Sequence, residues 1–308
     1  MINFKVWLSA LRIKTLIASI APVSVGFSLS ATKSSEFPIY SFLGCLLFAL
    51  LLQVGTNFAN DYYDFKRGAD NDRRLGPTRY VASGLIPPET MFFAFLMVFS
   101  LSFIVGCLTV WYAEVSLFFL PFGLVCILCG YLYTGGPFPF AYNALGDVFV
   151  ILFFGLGAVE GCNLFFSQVL HSTWTPSLSI SFGMGLLVNN LLVVNNYRDH
   201  DTDKRVGKKT LITLLGRKFG LFLYLFGFSF AGFLCFVYNS QASILLITSI
   251  FGACGFLSLK RSKSKKDFNL SLLLTALTVI VFSVQIVLAS YFELNIHTLF
   301  INCFNSLS

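Results

Sequence analysis

Residues 46–64 read LLFALLLQVGTNFANDYYD. An unbroken apolar run gives way to Gln53, Asn57, Asn60, Asp61 and Asp64, so every polar group falls at one end. Spacings of three and four place Asn57, Asn60 or Asp61, and Asp64 along one helical face. Ionised groups are costly to bury in hydrocarbon, so an apolar helix that ends in carboxylates reads as a membrane span reaching a polar mouth. A second stretch, residues 195–203 (NNYRDHDTD), repeats the arrangement, with Asn195, Asp199 and Asp203 four apart.

The surrounding chain supports this reading. Of its 308 residues 56% are hydrophobic and 11% charged, and the apolar residues form long uncharged runs rather than amphipathic stripes. A hydrocarbon core of about 30 Å needs about 20 apolar residues per helix. Nine stretches qualify or nearly so: 12–31, 38–58, 90–110, 115–134, 145–168, 178–194, 220–238, 241–259 and 271–291. The alternating ten-residue segments of a membrane barrel are absent, so the expected class is an all-α polytopic membrane protein. The first run reads as the first helix rather than a cleavable signal peptide. With the N-terminus inside, Lys5, Arg12 and Lys14, five basic residues from Lys66 to Arg79, seven from Arg198 to Lys218 and five from Lys260 to Lys266 share one side. Only Lys33 of 21 basic residues falls opposite. That asymmetry predicts nine spans, N-in and C-out. The net charge of +7 is then mainly a topology signal with some attraction for anionic membrane lipid or an anionic substrate, and nucleic acid is not implied. No linker divides the chain, which is expected to form one domain over 1–308.

Carboxylates gathered at a membrane interface repel one another and need a cation. Asp70 and Asp72 follow the first cluster after Gly68. Oxygen ligands with partial hydration suit Mg²⁺, which takes one or two carboxylates and shares its other positions with water and substrate phosphate. Two acidic helix ends on one cavity suit two Mg²⁺ ions clamping a diphosphate, against the plainer reading of a solvated loop. Arg67, Arg73, Arg74 and Arg79 from the first loop, with Arg198, Lys204, Lys208 and Lys209 from the second, are candidate phosphate contacts. Each also serves as an inside anchor. The CxxC pair Cys126 and Cys129 has no second pair or nearby histidine and reads as packing. Asp147 and Glu160 lie in the fifth span, where the first suits either acceptor orientation or the helix dipole.

The two clusters resemble the aspartate-rich motifs of the UbiA-type intramembrane prenyltransferases. The third acid of the first motif stands at Asp70 rather than at position 68, which is Gly. That departure is similar to the 1,4-dihydroxy-2-naphthoate polyprenyltransferase branch of menaquinone synthesis. RIKTLIASIAP at 12–22, GPTR at 76–79, GYLYTGGP at 130–137 and GKKTL at 207–211 look like the same branch. The resemblance implies nine transmembrane helices around a central cavity, cytoplasmic cap helices and a lateral opening to lipid. It implies a bacterial cytoplasmic (inner) membrane location, with the active site facing the cytoplasm. By the same resemblance Asn57, Asp61, Asp64 and Asp70 organise a first Mg²⁺, and Asn195, Asp199 and Asp203 a second. Catalysis then rests on Asp61, Asp64, Asp199 and Asp203, with Asn57, Asn60, Arg67, Asn195, Arg198, Lys208, Tyr131 and Tyr133 as substrate contacts. Polyprenyl diphosphate and a dihydroxynaphthoate-type aromatic acceptor are the implied partners.

Two alternatives stand beside this expectation. Related enzymes prenylate 4-hydroxybenzoate, homogentisate or 1,4-dihydroxy-6-naphthoate by the same ionisation step. An ion-coupled transporter also places acids beside a central cavity, although its key acids belong near mid-membrane.

Overall fold

Each of the nine apolar stretches contains a helix in the structure, a computed structural model that describes residues 4–31, 37–69, 76, 79–239 and 242–305, with 12–31 helical from Ile17 and 115–134 over Phe119–Leu132. In chain order the elements are α1 (Phe4–Ala10), α2 (Ile17–Ala31), α3 (Ile39–Lys66), α4 (Pro88–Tyr112), α5 (Phe119–Leu132), α6 (Gly146–Val169), α7 (Leu178–Arg205), α8 (Leu211–Leu215), α9 (Arg217–Asn239), α10 (Ala242–Arg261) and α11 (Lys265–Asn305). No strand occurs among the described residues. Among the described residues six helices, α3, α4, α6, α7, α9 and α11, are long and apolar enough to cross a bilayer, while α2 and α5 are shorter apolar helices. The protein is an integral membrane protein.

Helix ends depart from the apolar runs that announced them. The stretch expected over 38–58 continues to Lys66, and that expected over 178–194 continues to Arg205. Hydropathy stops at the first carboxylate, but backbone hydrogen bonding does not. Once arginines and lysines compensate the acids, nothing terminates the helix until Gly68 and Gly207, both at a φ near +70° that closes it.

Apolar side chains on the outer faces point to lipid. On α4, Phe93, Met97, Leu101, Ile104, Leu108 and Trp111 fall on one stripe and are all exposed. On α9, Phe222, Phe226 and Phe230 are exposed and stack in sequence, with ring centroids 6.2 and 5.0 Å apart. Much of the abundant phenylalanine is therefore lipid-facing bulk.

α7 is the central helix. α6, α9 and α11 pack along it, and its buried residues include Met184, Leu187, Val193 and Val194. Backbones approach most closely between α6 and α7, where a Cβ built on Gly155 would meet Ser181 O at 2.5 Å and one on Gly185 would meet the carbonyl of Ile151. Small residues permit such contact where lipid offers no hydrophobic drive between helices. The adjoining part of α6, Ile151–Glu160, is wound in wide π-type turns, a geometry frequent at functional sites.

Candidate active site at the ends of α3 and α7

The acids that close α3 are buried and already compensated. Asp61 Oδ1 accepts from Arg12 Nη2 at 3.1 Å and from Arg79 Nη1 at 3.3 Å, while its Oδ2 accepts from the Tyr80 backbone N–H at 2.8 Å. Asp64 Oδ2 accepts from Arg79 Nη2 at 2.7 Å, and its Oδ1 from the Tyr142 hydroxyl at 2.7 Å. Arg12 reaches this position from a backbone turned into the left-handed region, φ 53°, between α1 and α2. Non-glycine residues adopt that conformation at a cost and cluster at functional sites.

The end of α7 is built likewise. Arg198 grips Asp199 in a bidentate fork, Nε and Nη2 both at 2.8 Å, and both side chains are buried. The remaining Nη1 of Arg198 is buried with no hydrogen-bond partner among the described residues. Lys208 Nζ lies 3.8 Å from Asp203. Asp201 sits apart, half-engaged with His200 and Arg217 on the exposed side.

Tyr142 joins the two ends. Its hydroxyl donates to Asp64 of α3, and the Lys208 ammonium stands 5.2 Å from its ring centroid. The same segment is stitched to the loop after α7, with Ala144 N–H donating to Lys209 O at 2.7 Å and Lys209 N–H to Tyr142 O at 3.3 Å. Burial, reinforced by the Asp64 charge, pushes the Tyr142 phenol well above its ordinary range, so it remains a donor. The two acidic helix ends thus adjoin one another at the same end of the bundle.

Beneath this mouth lies a cavity of ≈ 320 Å³ walled by α2 through α7. Its polar lining includes Arg12, Thr15, Gln53, Thr56, Asn57, Asn60, Tyr133 and Asn195, and phenylalanines such as Phe48, Phe122 and Phe153 contribute to the apolar remainder. α9, α10 and α11 contribute none of the lining; α9 and α11 pack on α7, and α10 packs on those two. The cavity is therefore set to one side of the bundle.

The expected site residues divide into three groups. Asn57, Asn60, Asn195 and Tyr133 line the cavity, while Asp61, Asp64, Arg198, Asp199, Asp203 and Lys208 form the ion-paired rim just outside it. Tyr131 and Arg67 stand behind that rim. The Tyr131 hydroxyl accepts from Tyr63 at 3.1 Å, and Arg67 donates to the carbonyls of Thr134 and Gly136, pinning the turn after α5. Asp70, with Asp72, Arg73 and Arg74, lies outside the described residues. Arg12 and Tyr142 are the additions. Arg12 reads in sequence as an inside anchor, and Tyr142 carries no periodic signal, only its place five residues before Asp147.

The donor set fits Mg²⁺ and a diphosphate. Carboxylate and amide oxygens are hard ligands of the kind Mg²⁺ takes together with water and substrate phosphate, and among the described residues no three His, Cys, Asp or Glu side chains are grouped so as to hold a metal by themselves. The spare buried Nη1 of Arg198 is a donor suited to phosphate.

Comparison with known proteins agrees. A family model described as the UbiA prenyltransferase family matches residues 19–271. The chain is 36% identical over 237 residues to the 1,4-dihydroxy-2-naphthoate octaprenyltransferase of Mycobacterium tuberculosis, covering 77% of this chain and 79% of that protein. Its identity to the 1,4-dihydroxy-2-naphthoate octaprenyltransferase of Haemophilus influenzae is 34%, over 70% and 71% of the two chains. In fold it is similar to a UbiA homolog from Archaeoglobus fulgidus solved bound to GPP and Mg²⁺. That likeness has a TM-score of 0.60 and 16% identity, over 92% of this chain and 99% of that one. An ion-coupled transporter is set aside, for the family match spans both acidic helix ends and most of the cavity lining beneath them, and the chain belongs to the UbiA prenyltransferase family of enzymes.

Proposed function

We propose that the protein transfers a polyprenyl group from polyprenyl diphosphate to 1,4-dihydroxy-2-naphthoate with loss of the acceptor carboxylate, giving demethylmenaquinol for menaquinone biosynthesis. The observation that carries this reading is the meeting of two acid-and-arginine helix ends, through Tyr142 and Lys208, above one apolar cavity. The naphthoate acceptor is supported by two curated relatives that share its name and match most of the chain.

In this reading Asn57, Asp61, Asp64 and Asp70 hold one Mg²⁺ and Asn195, Asp199 and Asp203 the other. Bound there, the ions would neutralise charge on the departing diphosphate. Arg198 offers its spare Nη1 to a phosphate oxygen, Lys208 adds a point charge, and Asn60 and Tyr133 face the reacting end of the prenyl chain. Arg12 and Arg79 hold the Asp61 and Asp64 side chains in place. Arg67 acts indirectly by fixing the 134–136 turn beneath Tyr133. As the allylic C–O bond breaks, the phenylalanine wall excludes water from the developing cation, and the electron-rich acceptor ring then forms the new C–C bond. Carbon dioxide leaves and the ring regains aromaticity.

The same reading takes all nine apolar helices as spans, places the N-terminus and mouth on the cytoplasmic side of a bacterial inner membrane and the C-terminus outside, and assigns α1 and α8 as caps. Incubating detergent-purified protein with Mg²⁺, a long-chain prenyl diphosphate and a panel of hydroxybenzoate and dihydroxynaphthoate acceptors tests it. The expected product by mass is a prenylated, decarboxylated naphthoquinol, absent when EDTA is added. A product from 4-hydroxybenzoate alone would reassign the acceptor.

A further inference from the structure

Gln53 is a polar side chain deep in the cavity with no structural use. It follows Asn57 and Asn60 inward on one stripe of α3, at spacings of four and seven, and all three line the cavity. Its neighbours on the helix are engaged. Asn57 Nδ2 donates to Leu11 O at 3.3 Å, Asn60 Oδ1 accepts from Thr134 Oγ1 at 2.6 Å, and the Thr56 hydroxyl returns to Leu52 O at 2.9 Å. The Gln53 amide makes no hydrogen bond to any described residue, and neither does the Tyr133 hydroxyl, which faces the same cavity from the end of α5. Leucine at position 53 would line the same largely apolar cavity without an amide to desolvate. Polar groups at such depth are retained for ligands or pathways.

Depth says which ligand. At 1.5 Å per residue, Gln53 lies about 6 Å inward of Asn57 and about 12 Å inward of Asp61. A diphosphate seated at the rim directs its allylic carbon inward, and the attacking ring carbon must approach within about 3–3.5 Å of it. The acceptor ring therefore occupies the layer bounded by Asn60 and Tyr133 above and Gln53 below.

We propose that Gln53 is the acceptor-recognition residue. Its amide donates to a carboxylate or hydroxyl oxygen of an aromatic hydroxy acid and accepts from a ring hydroxyl, with the Tyr133 hydroxyl as the facing contact. The assignment rests on the prenyl-transfer reading above and adds the residue that selects the acceptor. A site built to hydrogen-bond a substrate discriminates strongly against analogues lacking the matching group, because its own polar group is then left unpaired.

The test is Gln53→Met, which keeps length and removes the amide. Three quantities are compared with the parent enzyme: binding of 1,4-dihydroxy-2-naphthoate without prenyl diphosphate, KM for each substrate, and Tm in detergent. The expected result is that acceptor binding weakens about tenfold or more and acceptor KM rises in step, while prenyl diphosphate KM and Tm stay within error. Unchanged acceptor binding, or equal losses for both substrates, overturns the assignment. Should Gln53→Met fail to fold, Gln53→Asn replaces it, and its shortened amide is expected to weaken acceptor binding alone. Failure of the prenyl-transfer reading shows separately, as absence of product from the parent enzyme with every acceptor.

Discussion

Asp64 is held from two sides, by Arg79 of the connection that follows α3 and by Tyr142 of the segment that also meets Lys208. Changing its charge therefore alters the site more than its shape. Asp64→Asn and Asp199→Asn are each expected to lower turnover by about 10²–10³-fold, the scale of removing a key electrostatic group, with the folded protein retained. Near-normal turnover in both would reject the metal roles. Tyr142→Phe is expected to raise the KM for prenyl diphosphate, because the two helix ends lose their hydrogen-bonded link. Since burial, reinforced by the Asp64 charge, raises the phenol well above its ordinary range, the variant's activity should fall by one factor at every pH from 6 to 9, as a pH series of initial rates will show. The acids and asparagines at this site were legible in sequence because their three- and four-residue spacing survives in a single helix. Tyr142 and Arg12 were not, since both arrive from irregular segments whose direction only tertiary packing sets.

At the scale of elements, hydropathy located every apolar helix and misjudged where α3 and α7 end. The misjudged turns are the ones that carry the site: Asp61, Asp64, Asp199 and Asp203 are helical residues that a hydropathy window reads as loop. They remain helical because each is salt-bridged rather than solvated. The contact between α6 and α7 was hidden for a different reason. Gly155 has no small residue four positions away and Gly185 shares only the small-xxx-small spacing with Ser181, yet each faces a backbone carbonyl of the other helix. Backbone atoms cannot swing aside as a flexible side chain can, so Gly155→Val must separate the helices. The expected effect is destabilisation of about 1–3 kcal/mol or more, read as a lower Tm in detergent with affinity for both substrates reduced together. An unchanged Tm would mean that the two helices are less closely apposed than the structure has them.

The whole molecule is asymmetric in two directions. Across the bundle, α2 to α7 enclose the cavity while α9 and α11 pack on α7 and α10 packs on those two, so the third of the chain after the second motif supports that motif rather than lining the pocket. Along the bundle, α7 ends at the mouth, α9 starts there, and antiparallel packing of α9, α10 and α11 returns the chain to the same end at 261–265. Lys260, Arg261, Lys263, Lys265 and Lys266 are all exposed in that turn, which places a protease-sensitive marker on the side of the active site. The charge asymmetry in the sequence predicts that this side is cytoplasmic. Trypsin is accordingly expected to cleave at 260–266 in inverted membrane vesicles and to leave the turn intact in right-side-out spheroplasts. Cleavage only in spheroplasts would put the mouth outside. A diphosphate substrate does not cross the bilayer unaided, so that outcome would cut the site off from a cytoplasmic prenyl donor.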